Sequence, residues 1–392
     1  MKKVVIAAAK RTAIGSFQGQ LSPLSAPELG SQVIKSILSD NQIDASNVDE
    51  VIMGNVLSAG LGQAPARQTA LGAGMPESTE CLTINKMCGS GLKAVMLADQ
   101  AIKCGDANMI IAGGIESMSN APYILPKART GYRLGHDKIL DTMILDGLWD
   151  KYNNIHMGNC AENCAKNFKM SREEVDNFAI ESYERAIKAT SDGKFTDEII
   201  DLKITSRKGE VIINIDEEPT RVMFEKIKTL NPAFDSDGII TAANASKIND
   251  GAAALLVCSE EKANEMGLKP LVEIIGQSSA AKAPIDFTIA PADAINKVLL
   301  KTNMNVSDID LYEINEAFAV VSIAVNKLLG LKTDNVNVNG GAIALGHPIG
   351  ASGARILVTL IHELKRRSLE YGLASLCIGG GEASAIIVKN LI

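Results

Sequence analysis

One cysteine in this chain lies where a thiol could act as a nucleophile. Cys88 immediately precedes Gly89-Ser90-Gly91, which opens an almost entirely apolar segment, residues 91–102, predicted to be a helix. Because helix N-termini carry unpaired N–H groups and partial positive charge, we expect a lowered pKa for this thiol. The glycines leave room for a second molecule to approach. The alternative is that Cys88 is a small buried apolar side chain.

A histidine in the second half of the chain could supply the base that such a thiol needs. His347 lies in the loop Gly346-His347-Pro348-Ile349-Gly350, before a second apolar segment, residues 352–364, that is also predicted to be helical. An imidazole held in a rigid loop could accept the thiol proton. A hydrogen-bonded structural histidine is the alternative.

Two further polar side chains lie at the ends of predicted strands. Cys377 is followed by Gly379-Gly380-Gly381, a run that is costly unless the backbone passes close to another group. Cys377 could therefore act as an acid or a base, or could simply fill its strand. Asn315 lies at a strand-to-helix junction, where asparagine is a favoured helix cap. Its carboxamide could instead orient a water or an oxyanion.

The elements around these residues repeat in the two halves of the chain. Gly89-Ser90-Gly91 is followed by a predicted helix, a strand and the segment 113–117 (GGIES), and Ala351-Ser352-Gly353 by a helix, a strand and the segment 380–384 (GGEAS). We therefore expect two similar α/β halves related by a pseudo-two-fold axis. Both apolar helices would lie between two sheets, giving five layers, α-β-α-β-α, with the two helix N-termini close together.

Hydrophobic patterning predicts the remaining elements and a division into domains. Strands are predicted at residues 4–9, 51–56, 80–84, 109–112, 252–257, 309–314, 336–338 and 374–378, and helices at 25–38, 291–300 and 318–329. Residues 171–174 (SREE) have the pattern of a helix capping box. We predict an N-terminal α/β domain over residues 1–117 and 249–270, an inserted loop domain over 118–248, and a C-terminal α/β domain over 271–392.

Composition excludes several classes of protein. A chain of 392 residues with 46% hydrophobic and 22% charged residues is ordinary for a globular protein of two or three domains. Its net charge of −7 argues against sequence-independent binding of nucleic acid, which depends on basic patches. No apolar run reaches the about 18 residues of a membrane helix, so we expect no membrane partner. Seven cysteines, an odd number, indicate a reducing cytoplasmic setting rather than disulfides.

Two weaker motifs favour simpler explanations. Residues 89–94 (GSGLKA) match a dinucleotide-binding fingerprint but do not open a βαβ unit, so the match has little weight. Cys160 and Cys164 are spaced one helical turn apart and could ligate a metal with His156. Because no second thiolate pair follows, one face of a helix is the better interpretation, and we expect no metal site.

Four segments together resemble the thiolase family. They are residues 85–91 (NKMCGSG), 315–318 (NEAF), 340–350 (GGAIALGHPIG) and 377–381 (CIGGG), and the resemblance extends from Val4 to Val388. It implies the thiolase fold, which has two pseudo-symmetric α/β halves in a five-layer αβαβα sandwich with an inserted loop domain. Residues 156–158 (HMG) and 161–163 (AEN) are similar to the bacterial acetyl-CoA acetyltransferase group of this family, which acts on short acyl chains.

The resemblance implies a role for each of the candidate catalytic residues. Cys88 is the nucleophile that takes the acetyl group as a thioester, and His347 activates it and helps to bind the thioester oxygen. Cys377 removes a proton from the methyl group of a second acetyl-CoA. Asn315 holds a water in one oxyanion hole, and the backbone N–H groups of Cys88 and Gly379 form the other.

A coenzyme A site is carried over from the same resemblance. Its contact positions are Leu148, His156, Met157, Arg221, Phe234, Ala242, Ser246, Ala317 and Phe318. The chain departs from the family pattern nearby, because Ala243 and Lys247 replace usual glycines and Phe287-Thr288 replaces a usual Met-Gly pair. Glu382-Ala383 also departs from a usual Gln-Gly type of pair. Phe287 is bulky near the acyl pocket, which favours short acyl chains.

The leading hypothesis is an acetyl-CoA C-acetyltransferase that condenses two acetyl-CoA to acetoacetyl-CoA and CoA, reversibly. One alternative is a 3-ketoacyl-CoA thiolase acting on longer chains in β-oxidation, and another is a non-catalytic CoA-binding protein with the thiolase fold. The resemblance implies coenzyme A thioesters as substrates and no permanently bound cofactor. It also implies a homotetramer, a dimer of dimers, with the loop domain between dimers.

Overall fold

Residues 2–206 and 209–392, which the computed structural model describes, form a mixed α/β structure. The strands are β1 (Val4–Arg11), β2 (Gly15–Ser16), β3 (Glu50–Gly54), β4 (Glu80–Ile84), β5 (Met109–Ser117), β6 (Tyr123–Ile124), β7 (Leu140–Asp141), β8 (Trp149–Asp150), β9 (Ile155–His156), β10 (Leu202–Ser206), β11 (Gly209–Ile213), β12 (Asn249–Ser259), β13 (Val272–Ala281), β14 (Leu311–Ile314), β15 (Tyr371–Ile378) and β16 (Glu382–Asn390).

Eleven α-helices are assigned in the same residues. They are α1 (Ala26–Asp40), α2 (Pro65–Gly72), α3 (Ser90–Cys104), α4 (Met157–Asn167), α5 (Arg172–Ser191), α6 (Phe224–Ile227), α7 (Glu260–Glu265), α8 (Ala290–Thr302), α9 (Ala319–Leu329), α10 (Ala342–Leu345) and α11 (Ile349–Arg367). Short 3₁₀ turns span Ala45–Asn47, Met118–Asn120, Glu218–Arg221, Pro284–Ile289, Val306–Asp308 and Thr333–Asn335, and a π-helical turn spans Met143–Leu148. None of the helices in this part of the chain is both long and apolar enough to cross a membrane.

Two matching halves build the main sheet. The first half has the strand order β1-β12-β5-β3-β4 and the second has β13-β16-β15-β14, and they join where β1 pairs with β13 over two residue pairs. Strand β3 is parallel to β5, as β14 is to β15, and the other neighbours that correspond are antiparallel. The predicted internal repeat is therefore present in the fold, in the same order of elements.

The repeat differs from its prediction in register. Residues 113–117 lie inside β5, whereas 380–384 span the turn after β15 and the start of β16. Glu116 and Glu382 are therefore not equivalent in the fold. The two glycine pairs look alike for different reasons: Gly113 and Gly114 lie against the backbone of β12 and α11, whereas Gly380 and Gly381 form a tight turn.

Helices α3 and α11 form the central layer between the half-sheets. On β12, Ala253, Leu255 and Val257 pack against this layer, while Leu256 and Cys258 pack on the opposite face. Both faces of the strand are covered, which explains why its residues are apolar throughout rather than alternating. Helices α1 and α2 cover the outside of the first half-sheet, and α8, with α9 beside it, covers the second. This arrangement is the predicted five-layer order.

Two local predictions are corrected by the structure, and two strands have no prediction. Residues 336–338 form no strand; Val336 makes one isolated bridge to Tyr312, and the side chain of Asn337 exchanges two hydrogen bonds of 2.8 Å with the backbone of Ile314 in place of a ladder. Ser171 caps α5 through Glu174 N, but the Glu174 carboxylate bonds Lys327 instead of closing the capping box. Strands β13 and β16 were not predicted.

Residues 118–248 pack beside the two halves rather than extending them. Every strand described between these limits belongs to a separate two-stranded sheet. Buried ionic groups attach this region to the first half: Arg11 donates to Glu198 at 2.6 Å and to Asp216 at 2.7 Å. The domain boundaries at 117, 248 and 270 stay predictions.

Candidate active site

The two central helices cross through glycines at their N-terminal ends. A Cβ on Gly91 would lie 2.8 Å from Ala354 N, and one on Gly353 would lie 2.5 Å from Leu92 N. Real Cβ atoms do not approach so closely, so glycine is required at both positions. The two contacts are reciprocal, as a two-fold axis would produce. The expected approach of the two helix starts is therefore found, and it brings the Cys88 and His347 loops together.

The backbone before α3 is held in a tight turn that presents Cys88. Met87 has a φ of +46°, a left-handed conformation that costs free energy for a residue with a side chain. The Ser90 hydroxyl compensates by accepting from Lys86 N at 2.8 Å and donating to Met87 O at 2.7 Å, and Asn85 Oδ1 accepts from Met87 N at 2.9 Å. The serine of the GSG motif therefore fixes the turn.

His347 is oriented by a hydrogen-bond network that also sets its tautomer. Ser352 Oγ lies 2.6 Å from His347 Nδ1 and donates its own hydrogen to Pro348 O at 2.9 Å. The serine oxygen must then accept the Nδ1 hydrogen, which leaves Nε2 unprotonated. Asn249 Oδ1 accepts from His347 N at 2.8 Å, and Asn315 Nδ2 lies 3.5 Å from Nε2, at the outer limit of a hydrogen bond.

The protonation states of the two groups suit an acid–base pair. Burial, and to a smaller degree Arg355, lowers the pKa of His347 to about 3, so its ring is neutral at pH 7 and able to accept a proton. Burial raises the pKa of Cys88 to about 11, although N–H groups of Gly379 and of Cys88 itself favour the thiolate. The expected lowering of this pKa is wrong, because desolvation of the thiolate outweighs the helix N-terminus.

Cys377 and Gly379 reach the same place from β15. Cys377 is buried, and burial together with the neighbouring Cys88 raises its pKa well above the ordinary thiol value. Gly379 directs its N–H toward the Cys88 sulfur. The following Gly380 and Gly381 have φ values of +90° and +91°, which explains the glycine run, because this left-handed turn disfavours other residues.

Cys88, His347 and Gly379 line an apolar cavity of about 230 Å³. Its wall is formed by Cys88, Met118, Gly147, Leu148, His156, Met157, Phe234, Ala245, Ser246, Lys247, Ile248, Phe287, Ala317, Phe318, His347, Ile349 and Gly379. Aromatic rings close one side: Phe318 makes edge contacts with Phe234 and Phe287 at centroid distances of 6.2 and 6.5 Å, and His156 stacks on Phe234 at 4.7 Å. An open cleft of about 770 Å³ adjoins the cavity and shares Gly147, Met157 and Gly379 with it.

The predicted coenzyme A contacts divide into two groups. Those on the cavity wall are Leu148, His156, Met157, Phe234, Ser246, Ala317 and Phe318. Arg221 and Ala242 lie outside it: Arg221 is exposed and 3.5 Å from Glu217, and the Ala242 carbonyl accepts a hydrogen bond from Lys247. Asn315 and Cys377 are buried behind the wall rather than on it.

Sequence reasoning missed the residues that support the site from outside the four motifs. Asn249, on β12, and Glu116, on β5, contact the His347 loop from sequence distances that no local motif spans. Glu116 accepts from Asn55 Nδ2 and Gly350 N at 2.8 Å and from Val56 N and Leu57 N at 3.1 and 3.2 Å. Burial raises the pKa of this carboxyl to about 7.

No cluster of His, Cys, Asp and Glu in the described ranges could hold a metal ion. His156 and Cys160 have other partners: His156 Nδ1 caps α4 by accepting from Gly158 N at 3.0 Å, and the Cys160 sulfur lies 3.8 Å from Asp150 Oδ2. The helix-face interpretation of Cys160 and Cys164 agrees with their burial.

Comparison with known proteins gives consistent matches over the whole chain. The family model described as thiolase, N-terminal domain, matches residues 4–261, and that described as thiolase, C-terminal domain, matches residues 268–390. The acetyl-CoA acetyltransferases of Pseudomonas aeruginosa and Cupriavidus necator are 53% and 51% identical to this chain over 392 residues, covering all of both proteins in each case.

Solved structures agree with the sequence matches. The Bacillus anthracis acetyl-CoA acetyltransferase has a TM-score of 0.97 at 45% identity, covering 100% of this chain and 99% of the other. The Acat5 thiolase from Ascaris suum, in complex with coenzyme A, has a TM-score of 0.94 at 45% identity, with full coverage of both chains. The predicted family and fold are thereby confirmed: this chain belongs to the thiolase family.

Proposed function

We propose that this thiolase is an acetyl-CoA C-acetyltransferase, which reversibly condenses two acetyl-CoA to acetoacetyl-CoA and CoA. One observation carries the proposal: the Cys88 thiol, the unprotonated Nε2 of His347 and the Gly379 N–H meet at one small apolar cavity. Full-length relatives named acetyl-CoA acetyltransferase, about half identical to this chain, support the same activity.

The first step is acyl transfer to Cys88. The sulfur attacks the carbonyl carbon of acetyl-CoA while its proton passes to His347 Nε2; the new S–C bond forms and the bond to CoA breaks. Cys377 protonates the departing CoA thiolate. Because the pKa of Cys88 is about 11, the thiol is protonated at rest, so its deprotonation accompanies the attack. The N–H groups of Cys88 and Gly379 stabilise the oxyanion.

The second step forms the carbon–carbon bond. The Cys377 thiolate removes a proton from the methyl group of a second acetyl-CoA, and the resulting carbanion attacks the acetyl carbonyl on Cys88. The S–C bond breaks, and Cys88 regains the proton held by His347. His347 and a water held by Asn315 stabilise the enolate oxygen. The buried Asn315 Oδ1 has no hydrogen-bond partner among the residues that the structure describes, which leaves it able to hold that water.

Coenzyme A thioesters bind along the cavity wall. Leu148, His156, Met157, Phe234, Ser246, Ala317 and Phe318 contact the end nearest the thioester, and Arg221 and Ala242 lie further out, toward the nucleotide. The enzyme carries no permanently bound cofactor. Buried Phe287, in edge contact with Phe318, limits the acyl group to a short chain.

The functional unit is a homotetramer in the cytoplasm. Large apolar side chains project into solvent from residues 123–152 of the loop domain, among them Leu134 at 101% exposure and Tyr152 at 77%. An apolar surface of this kind on one segment is typical of a contact between subunits. All seven cysteines are free thiols, which supports a reducing compartment.

The test is acetoacetyl-CoA thiolysis, followed by loss of the enolate absorbance, with wild type and Cys88→Ala side by side. We expect rapid cleavage of the four-carbon substrate, at least about 10³-fold slower in the variant because the covalent route is lost. Longer 3-ketoacyl-CoAs run in parallel, and a rate that rises with chain length would assign the protein to the degradative group. Wild type without activity on any of them would contradict the proposal.

A further inference from the structure

We propose that Lys86 and Glu382 are positioning residues: their ion pair clamps the loop that carries Cys88 to the turn that carries the Gly379 amide. This inference rests on the proposed function, because it assigns the pair a role in holding an oxyanion donor. The pair joins residues 296 positions apart in the chain, one from each half of the fold. Neither residue lies on the cavity wall.

The two ends of the clamp are rigidly linked to the groups they position. Lys86 lies two residues before Cys88, and its N–H and C=O are both bonded within the tight turn, to Ser90 Oγ at 2.8 Å and Gly89 N at 3.0 Å. Glu382 pairs with Ile378 across the β15–β16 hairpin, so it closes the turn that contains Gly379. A displacement of the backbone at Lys86 or Glu382 therefore moves one of the two loops.

The loops between these ends are in direct contact, so a small displacement matters. A Cβ on Gly89 would lie 2.3 Å from the Ile378 side chain, and one on Gly379 would lie 3.6 Å from Met87 Cε. The N–H of Gly379 is directed at the Cys88 sulfur across this contact. Because a displacement of about 1 Å in an active site can slow a reaction by about 100-fold, the clamp affects the rate through geometry.

The charges around the pair agree with an electrostatic clamp. Lys86 is 23% exposed and Glu382 is 40% exposed, so dissolved salt reaches and screens them. Lys93, in the first turns of α3, also lies near the pair, and burial, followed by Lys86, lowers its pKa.

Steady-state kinetics of Lys86→Met, Glu382→Gln and the double variant test the proposal. We expect each single variant to lower kcat about fivefold with KM unchanged, since an oxyanion donor acts mainly in the transition state. The double variant is expected to be no slower than the singles, because both break one clamp. Added NaCl is expected to slow the wild type but none of these variants. Lys3→Met and Glu260→Gln, which break a remote ion pair of 2.8 Å with similar exposure, are the controls.

A second measurement needs no substrate. At pH 8 we expect iodoacetamide to alkylate Cys88 about threefold more slowly in Glu382→Gln than in the Lys3→Met control, because the Gly379 N–H no longer stabilises the thiolate. Unchanged or faster alkylation, or single variants within twofold of the controls in kcat, would overturn the clamp. An inactive wild type with the expected alkylation difference would instead overturn the proposed function and leave the clamp standing.

Discussion

Two polar clusters occupy matching positions in the two halves of the fold but differ in what they hold. Asn55 directly follows β3 and Asn315 directly follows β14. Strand β3 pairs with β5, whose penultimate residue is Glu116. Strand β14 pairs with β15, whose penultimate residue is Cys377. Each half-sheet therefore presents an asparagine and an ionisable side chain at the same edge. Asn55 and Glu116 form the first cluster, and Asn315 and Cys377 form the second.

The crossing of α3 and α11 also relates the residues that the two clusters contact. Gly91 contacts Ala354 and Gly353 contacts Leu92, so a two-fold axis pairs α3 with α11 in a register that makes Gly350 the counterpart of Cys88. Gly350 N donates to Glu116 at 2.8 Å. The neighbour of Cys377 across the same interface is Cys88, whose proximity raises the pKa of the Cys377 thiol.

The difference lies in how completely each cluster is filled. The Glu116 carboxylate accepts four hydrogen bonds, three of them from backbone N–H groups, and so fastens the start of α11. At the matching place the second cluster has a thiol, beside a cavity that His347 and Cys88 line. One duplicated frame therefore provides a brace in one half and, we propose, the reacting groups in the other.

Removing the ionisable group of the second cluster is expected to have the largest effect. Cys377→Ala should lower the rate of acetoacetyl-CoA thiolysis about 10³-fold, because it removes a positioned acid and base, while the midpoint of thermal unfolding stays within a few degrees. A midpoint lowered as far as in Glu116→Gln would show that this cluster is also a brace. Circular dichroism and the thiolysis assay measure both quantities.

Removing the charge of the first cluster should act on stability instead. In Glu116→Gln one oxygen becomes an NH2 group that faces N–H donors, and we expect a loss of about 3 kcal/mol in the free energy of unfolding, measured with urea. The pKa of Glu116 is raised to about 7, so its contribution is fully present below its unfolded pKa and is lost as the pH rises through 7. The difference between wild type and variant should shrink from pH 5 to pH 8; a constant difference would contradict this.

The two asparagines should also separate by function. Asn315→Ala is expected to lower kcat about 100-fold through loss of the water held in the oxyanion hole, with little change in stability. Asn55→Ala removes the 2.8 Å bond to Glu116 and should lower stability with a much smaller change in kcat. Equal effects of the two substitutions on kcat would remove the distinction between the clusters.

The acidity of Cys88 should distinguish it from an ordinary thiol. Because its pKa is raised to about 11, its alkylation by iodoacetamide should accelerate about tenfold for each pH unit up to pH 10. A cysteine in a short peptide, with a pKa near 8.5, levels off above about pH 9 and serves as the reference. A Cys88 curve that levels off with the peptide would mean that the helix N-terminus outweighs burial.

The smallest effect is expected on the cavity wall. Phe287→Ala should raise the ratio of kcat/KM for the six-carbon 3-ketoacyl-CoA to kcat/KM for the four-carbon one about tenfold. The two additional methylene groups of the longer substrate gain contacts in the enlarged pocket. Phe195→Ala, which removes a buried phenylalanine that contacts Arg11 and is not on the cavity wall, is the control for loss of a core ring. No change in the ratio would assign chain length to another residue.

Much of this site could be predicted from local sequence. Local motifs were enough to single out a cysteine before GSG, a histidine between glycine and proline, and a triple glycine after a cysteine. The structure adds causes that were not predicted: a helix crossing, a loop held by Ser352, and a left-handed turn. Apolar runs predicted most strands and both central helices, because these elements are buried on both faces. The family followed from the same motifs.

Only the tertiary structure decided three things: the register of the repeated segments, the direction of the Cys88 pKa shift, and the distant residues that support the site. The segments 113–117 and 380–384 look alike in sequence but occupy different positions, since strand pairing depends on partners far away in the chain. Cys88 has a raised rather than a lowered pKa because burial, which no local pattern states, outweighs the helix end. Asn249, Glu116 and the Lys86–Glu382 pair act across 98 to 296 residues of sequence, and folding alone brings them to the groups they hold.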